Sequence, residues 1–132
     1  MNEGKISIVV YGEPVPKGRP KVTTRGSFPM VYTPKKTRLA EKSFISQAIK
    51  DKPEFPLEGP LSVTLSFFRA KPKSYPKRLT EWVQKPDLDN LAKLTLDAMN
   101  KIFYVDDSQI VELICRKGFS SMPRTEVFIR KV

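Results

Sequence analysis

The sequence predicts a single α+β domain, with a mixed four-stranded sheet, two main helices and a basic, proline-rich loop near the N-terminus. Three observations carry this expectation. Four stretches are β-branched or alternate apolar with polar residues, and two longer ones repeat apolar residues at helical spacing. The two kinds are interleaved along the chain. Its 132 residues suffice to bury roughly two-thirds of the unfolded surface around one core.

Taken in order, Lys5 to Tyr11 (K-I-S-I-V-V-Y) reads as a first strand, closed by Gly12 and Pro14. From Pro14 to Pro34 five prolines rule out helix and leave at best a short, loose hairpin around Arg25-Gly26. Lys35 to Ile49 reads as a helix entered at Thr33-Pro34, with Leu39, Ser43, Phe44, Ala48 and Ile49 inward and Lys35, Lys36, Arg38 and Lys42 outward. Pro53 and Pro56 end it. Leu61 to Phe68 alternates apolar with Ser or Thr, as a strand with one buried face does. The link from Arg69 to Lys85 places Trp82, a core anchor by its burial habits, in a short helical turn. Gln109 to Phe119 and Thr125 to Val132 read as two further strands joined by a turn at Ser120 to Arg124.

Composition narrows the function classes. There is no histidine and a single cysteine, Cys115, so histidine catalysis and a thiolate or imidazole zinc site are excluded. Any metal must be held by oxygen, which favours magnesium, manganese or calcium. Cys115 reads as a small buried hydrophobe in a reducing compartment. With no signal-peptide pattern and only short apolar runs, the expectation is a cytoplasmic protein with no membrane partner. A net charge of +10 points to a polyanion, nucleic acid before membrane. Residues 17–52 hold ten Lys or Arg against Glu41 and Asp51, a local +8. This segment reads either as a solvated loop or as an arm that follows a phosphate backbone, with Lys17, Arg19, Lys21, Arg25, Lys35, Lys36 and Arg38 as its contacts.

Against that background, five of the six aspartates fall between 87 and 107, where Lys93 and Lys101 leave a local charge of −3. Clustered carboxylates repel one another unless a cation neutralises them. Pro86 fixes where a helix begins, Asp87 or Asp89 serves as its N-cap, and it runs to about Met99 with Asn100 in the left-handed position beyond. At about 100° per residue, Leu91, Leu94, Thr95, Ala98 and Met99 share one face while Asp89, Lys93, Asp97 and Asn100 line the other. The spacing of Asp89, Lys93 and Asp97 equally suits ordinary surface ion pairs. Asp87 and Asp89 lie in the positive end of the helix dipole, which keeps them ionised and makes them metal ligands rather than general acids. An EF-hand is excluded, because Leu91, Ala92 and Ala98 stand where its ligands and glycine belong. The third ligand would be Asp106 or Asp107 at the start of the next strand, where only one of two neighbours can face the site. A tight turn at Asn100 allows that return, since the helix from Asp89 spans about 15 Å and the chain to Asp107 reaches about 23 Å when extended.

P-D-L-D-N-L-A-K, L-D-A-M-N and Y-V-D-D-S-Q-I, with V-P-K-G-R-P and Y-T-P-K-K-T-R nearer the N-terminus, together resemble the signature of the RusA-type Holliday junction resolvases, common in bacteria and prophages. The resemblance implies a homodimer that binds four-way junction DNA and makes paired, Mg²⁺-dependent cuts in opposed strands, in DNA recombination and repair, with Mn²⁺ as a substitute ion. It carries the essential aspartates onto Asp87, Asp89 and Asp107 and the functional lysine onto Lys93, with Asn90 and Asp106 in support. Where some members have an arginine before the first aspartate this chain has Pro86, leaving Lys85 as an approximate phosphate contact. Two other readings are a non-catalytic nucleic-acid-binding protein whose aspartates only cap and solubilise a helix, and a metal-dependent nuclease for other branched DNA.

Overall fold

The computed structural model describes the backbone of residues 4–18, 21–25, 28–32 and 34–132, and the side chains of residues 4–18 and 34–132. Its strands are β1 (Lys5–Tyr11), β2 (Lys21–Arg25), β3 (Phe28–Tyr32), β4 (Leu61–Arg69), β5 (Ile110–Phe119) and β6 (Arg124–Lys131), and its helices are α1 (Lys35–Ala48) and α2 (Leu88–Met99). The expected α+β class holds. Strands β1, β6, β4 and β5 form one sheet in that order, while β2 and β3 form a separate antiparallel hairpin.

The sheet is mixed because β4 runs antiparallel to β6 but parallel to β5. A parallel neighbour needs a crossover connection, and α2 supplies it. The last two strands are therefore joined in sequence but not side by side, since β4 lies between them. Strand β4 is the apolar centre, with Leu61, Val63, Leu65 and Phe67 all but fully buried. Ile8 and Val10 of β1 and Val127 and Ile129 of β6 extend the same face, and Phe44 and Ala48 of α1 with Leu91, Ala92, Ala98 and Met99 of α2 cover it.

Three local expectations are corrected. On α1 the buried residues are Thr37, Phe44 and Ala48, while Leu39 is 54% exposed and Ile49 42%. The helix is turned toward Thr37 because that hydroxyl accepts the Gly18 N–H at 2.9 Å. Trp82 is 3% exposed, as a core anchor should be, but it sits in irregular chain rather than a helical turn. Its ring stacks on Phe119 of β5 at 6.3 Å, so tertiary contact and not local helix fixes it. Asn100 is extended at φ −59° and ψ 136°, and Lys101 takes the left-handed position at φ 72°. The carbonyl of Met99 receives the N–H groups of both Ile102 and Phe103, which tightens the return and moves the positive φ one residue on. That return buries Phe103 and Tyr104 completely.

Candidate metal-dependent nuclease site

The N-terminus of α2 presents the first two aspartates as expected, on a helix whose buried residues are Leu91, Ala92, Leu94, Thr95, Ala98 and Met99. Asp87 occupies the N-cap position with extended backbone, but its side chain caps no backbone N–H. Its carboxylate instead accepts the Lys85 ammonium at 2.8 Å. That hydrogen bond holds the Asp87 pKa below the usual carboxylate value against the opposing effect of desolvation, and the charges of Lys85 and Lys117 add to it. Asp87 is therefore an anion at neutral pH. Asp89, exposed in the first turn, accepts among the described residues only the neighbouring Asn90 N–H at 3.0 Å. Lys93 stands exposed one turn further on. Among the described residues neither Asp89 nor Asp97 forms an ion pair with Lys93, so the helix-surface pairing suggested by the spacing is not what holds them.

Asp97 is used elsewhere. Lys17 reaches down from the proline-rich segment and places its ammonium 2.7 Å from Glu41 of α1 and 3.2 Å from Asp97 of α2. Its side chain is only 17% exposed, its N–H donates to the Asn90 carbonyl at 2.9 Å, and a Cβ on neighbouring Gly18 would stand 2.5 Å from the Thr37 hydroxyl. Lys17, expected among the phosphate contacts, is thus engaged inside the fold and roots the arm between both helices. Burial pulls its pKa down, yet the hydrogen bonds and charges of Glu41 and Asp97 outweigh that and leave it raised. Lys17→Met should therefore lower stability by about 1–2 kcal/mol, between the values for exposed and buried pairs, without changing the salt dependence of DNA binding. A raised lysine pKa means the contribution is complete at neutral pH and is lost only as pH climbs past 10.5 and through the folded value. Thermal melts with a salt titration of binding check this, and a shallower salt slope would return Lys17 to the phosphate contacts.

The acidic pair lies in a 3₁₀ turn (Asp107–Gln109), not on a strand, so alternation of strand side chains does not decide between its members. Local hydrogen bonding distinguishes them. The Asp106 carboxylate accepts the Ser108 N–H at 3.1 Å and the Lys101 ammonium at 3.2 Å, while the Gln109 side chain accepts the Asp106 N–H at 2.8 Å. These bonds, Ser108 first and then Lys101, hold the Asp106 pKa low. Asp107 has no such structural task among the described contacts. The buried Tyr104 hydroxyl donates to the Leu96 carbonyl of α2 at 2.6 Å, and its pKa is raised by burial first and then by the charges of Asp107, Asp97 and Asp106 in that order. Tyr104 is a post between helix and acidic turn that sequence reasoning missed, and its only sequence signal is an aromatic pair directly after the helix.

Asp87, Asp89 and Asp107 suit a hard divalent cation by chemistry, being hard oxygen donors. They are not gathered, since among the described residues no group of three or more His, Cys, Asp or Glu side chains stands together to hold a metal ion. Of the expected DNA contacts, Lys35, Lys36 and Arg38 are exposed on α1, and Lys85 is 83% exposed but turned onto Asp87. Arg19 and the side chains of Lys21 and Arg25 lie outside the described residues. Among the described residues no helix is long and apolar enough to cross a membrane.

Comparison with known proteins matches residues 11–130 to a family model described as Endodeoxyribonuclease RusA. The chain is similar to the Uncharacterized protein YqaN of Bacillus subtilis (strain 168), 36% identical over 137 residues and 96% of each chain. It is also similar to the Crossover junction endodeoxyribonuclease rusA of Lactococcus phage r1t, 39% identical over 94 residues, 68% of this chain and 70% of the phage protein.

Proposed function

Because this chain belongs to the RusA endodeoxyribonuclease family, we propose that it is a crossover junction endodeoxyribonuclease that resolves four-way DNA junctions by paired cuts in opposed strands. The observation that carries the reading is the P-D-L-D-N motif at the start of α2, within a family match over residues 11–130. In this reading the protein acts as a homodimer in cytoplasmic DNA recombination and repair, and Asp87, Asp89 and Asp107 hold Mg²⁺, or Mn²⁺ in its place. When bound, such an ion supplies an activated water and neutralises charge on the scissile phosphate.

The remaining work falls to the chain itself. Asp87, already ionised at neutral pH, is ready to bind a cation without first losing a proton. Lys85 neutralises it until then, and once released that ammonium is available to the DNA backbone. Lys93, exposed on α2 a turn beyond Asp89, offsets charge building on the phosphate oxygens. Lys35, Lys36 and Arg38, with Arg19, Lys21 and Arg25 of the arm, bind phosphates and so set position rather than sequence preference.

The direct test is a four-way junction labelled on each strand in turn and incubated with Mg²⁺. Symmetric paired nicks that vanish with chelator are expected. Junction binding without nicking under any divalent ion would favour the non-catalytic reading, and unpaired cuts with preference for flaps would favour a nuclease of other branched DNA. The arm is tested separately by replacing Arg19, Lys21 and Arg25 with Gln. The slope of log K against log salt should shallow by up to about 0.9 per lost phosphate contact, for junction and duplex alike. An unchanged slope with both DNAs would reduce the +8 segment to a solvated loop.

A further inference from the structure

Strand β5 carries a lysine that reaches the aspartate segment from outside it. The Lys117 ammonium donates to the carbonyl of Gln84 at 2.9 Å and to that of Pro86 at 3.0 Å. These two carbonyls bracket Lys85 and lead directly into Asp87. The same ammonium lies 4.9 Å from the centroid of the Trp82 ring, and that ring is buried and stacked on Phe119, two residues along the same strand. Strand, indole and ammonium thus grip three consecutive residues of irregular chain at the point where α2 begins. Asp87 has no side-chain cap bond to fix it, and its ion pair is with a lysine 83% exposed. The placement of its carboxylate therefore depends on the backbone just before it.

We propose that Lys117 is a positioning residue for Asp87, holding the Gln84–Pro86 segment so that the first carboxylate meets the cation and the scissile phosphate. The proposal rests on the junction-cleaving reading above. A group that orients a metal ligand from behind typically alters metal affinity or turnover about 10–100-fold when removed. A lysine that merely satisfied two loop carbonyls would alter stability alone.

Lys117→Met keeps the aliphatic stem over Trp82 and removes both donors, whereas Lys117→Arg keeps charge and donors. Three quantities are measured on parent and both variants: amide hydrogen exchange across residues 84–89, junction affinity without metal, and single-turnover cleavage over a Mg²⁺ titration. For Lys117→Met we expect faster exchange confined to that segment, junction affinity within threefold of the parent, and cleavage reduced about 10–100-fold or shifted to higher Mg²⁺. Lys117→Arg should recover most of the rate. Unchanged exchange at residues 84–89 overturns the proposal whatever the activity. So does parental cleavage by Lys117→Met in an assay where the parent cuts, and so does a Lys117→Arg variant as slow as Lys117→Met. A parent that cuts no junction overturns the functional reading first and the positioning role with it.

Discussion

Asp89→Asn should abolish cleavage of a four-way junction while junction binding survives. The change is nearly isosteric, and the Asn side-chain carbonyl still accepts the Asn90 N–H that Asp89 takes at 3.0 Å. The residue is exposed and makes no contact on which the core depends, so folding should be untouched. What is lost is the negative charge a hard divalent cation requires. Loss of one essential charged group from a catalytic site costs about a thousandfold or more in turnover. Binding should hold or tighten, because one charge that repels the phosphates has gone. Single-turnover cleavage at saturating protein with a parallel binding assay separates the two effects, and cleavage within tenfold of the parent would remove Asp89 from the site.

Asp107→Asn should inactivate to a similar degree, and Asp106→Asn far less. The difference follows from the capping turn, in which Asp106 is tied to Ser108 and Lys101 while Asp107 has no such bond among the described contacts. Asn is itself a good N-cap, so Asp106→Asn should retain most of the turn, whereas Asp106→Ala should lower the melting temperature with cleavage within a few-fold of the parent. The pH dependence has a definite sign. The folded pKa of Asp106 lies below its ordinary 3.8, so its stabilising effect is present above that value and fades as pH falls through the folded one. Melting temperatures of parent and Asp106→Ala should therefore converge in strong acid. Equal loss of cleavage from both Asn variants would mean that both carboxylates serve the chemistry.

Local pattern carried much of this fold. Strand β1 runs from Lys5 to Tyr11 as its β-branched run suggests, and the inner face of α2 holds Leu91, Leu94, Thr95, Ala98 and Met99 as the helical period suggests, with Ala92 buried beside them. The misreadings arose where distant contacts overrule local signals. Leu39 suits a buried helix stripe, but the hydroxyl of Thr37 answers to Gly18 across the fold and turns α1 away from it. The turn after β5 does join two strands, but their place in the sheet has no local signal, since β4 lies between them. Within the site, the resemblance identified the aspartates, whereas spacing alone left Asp97 open. Its partner, Lys17, belongs to a segment whose composition signals only charge and proline. Lys117 and Tyr104 carried no sequence signal of function, because each acts through backbone carbonyls that only the fold brings within reach.

In the proposed site Asp87, Asp89 and Asp107 share one divalent ion, although no three-acid group is assembled among the described residues. Crystals grown with Mn²⁺ and measured for its anomalous signal test this without reference to activity. The account predicts a peak coordinated by the carboxylates of Asp87 and Asp89, with Asp107 drawn in as the third ligand and the Lys85 ammonium displaced from Asp87. A peak elsewhere, or fully occupied Mn²⁺ with Asp107 outside its coordination shell, would contradict it.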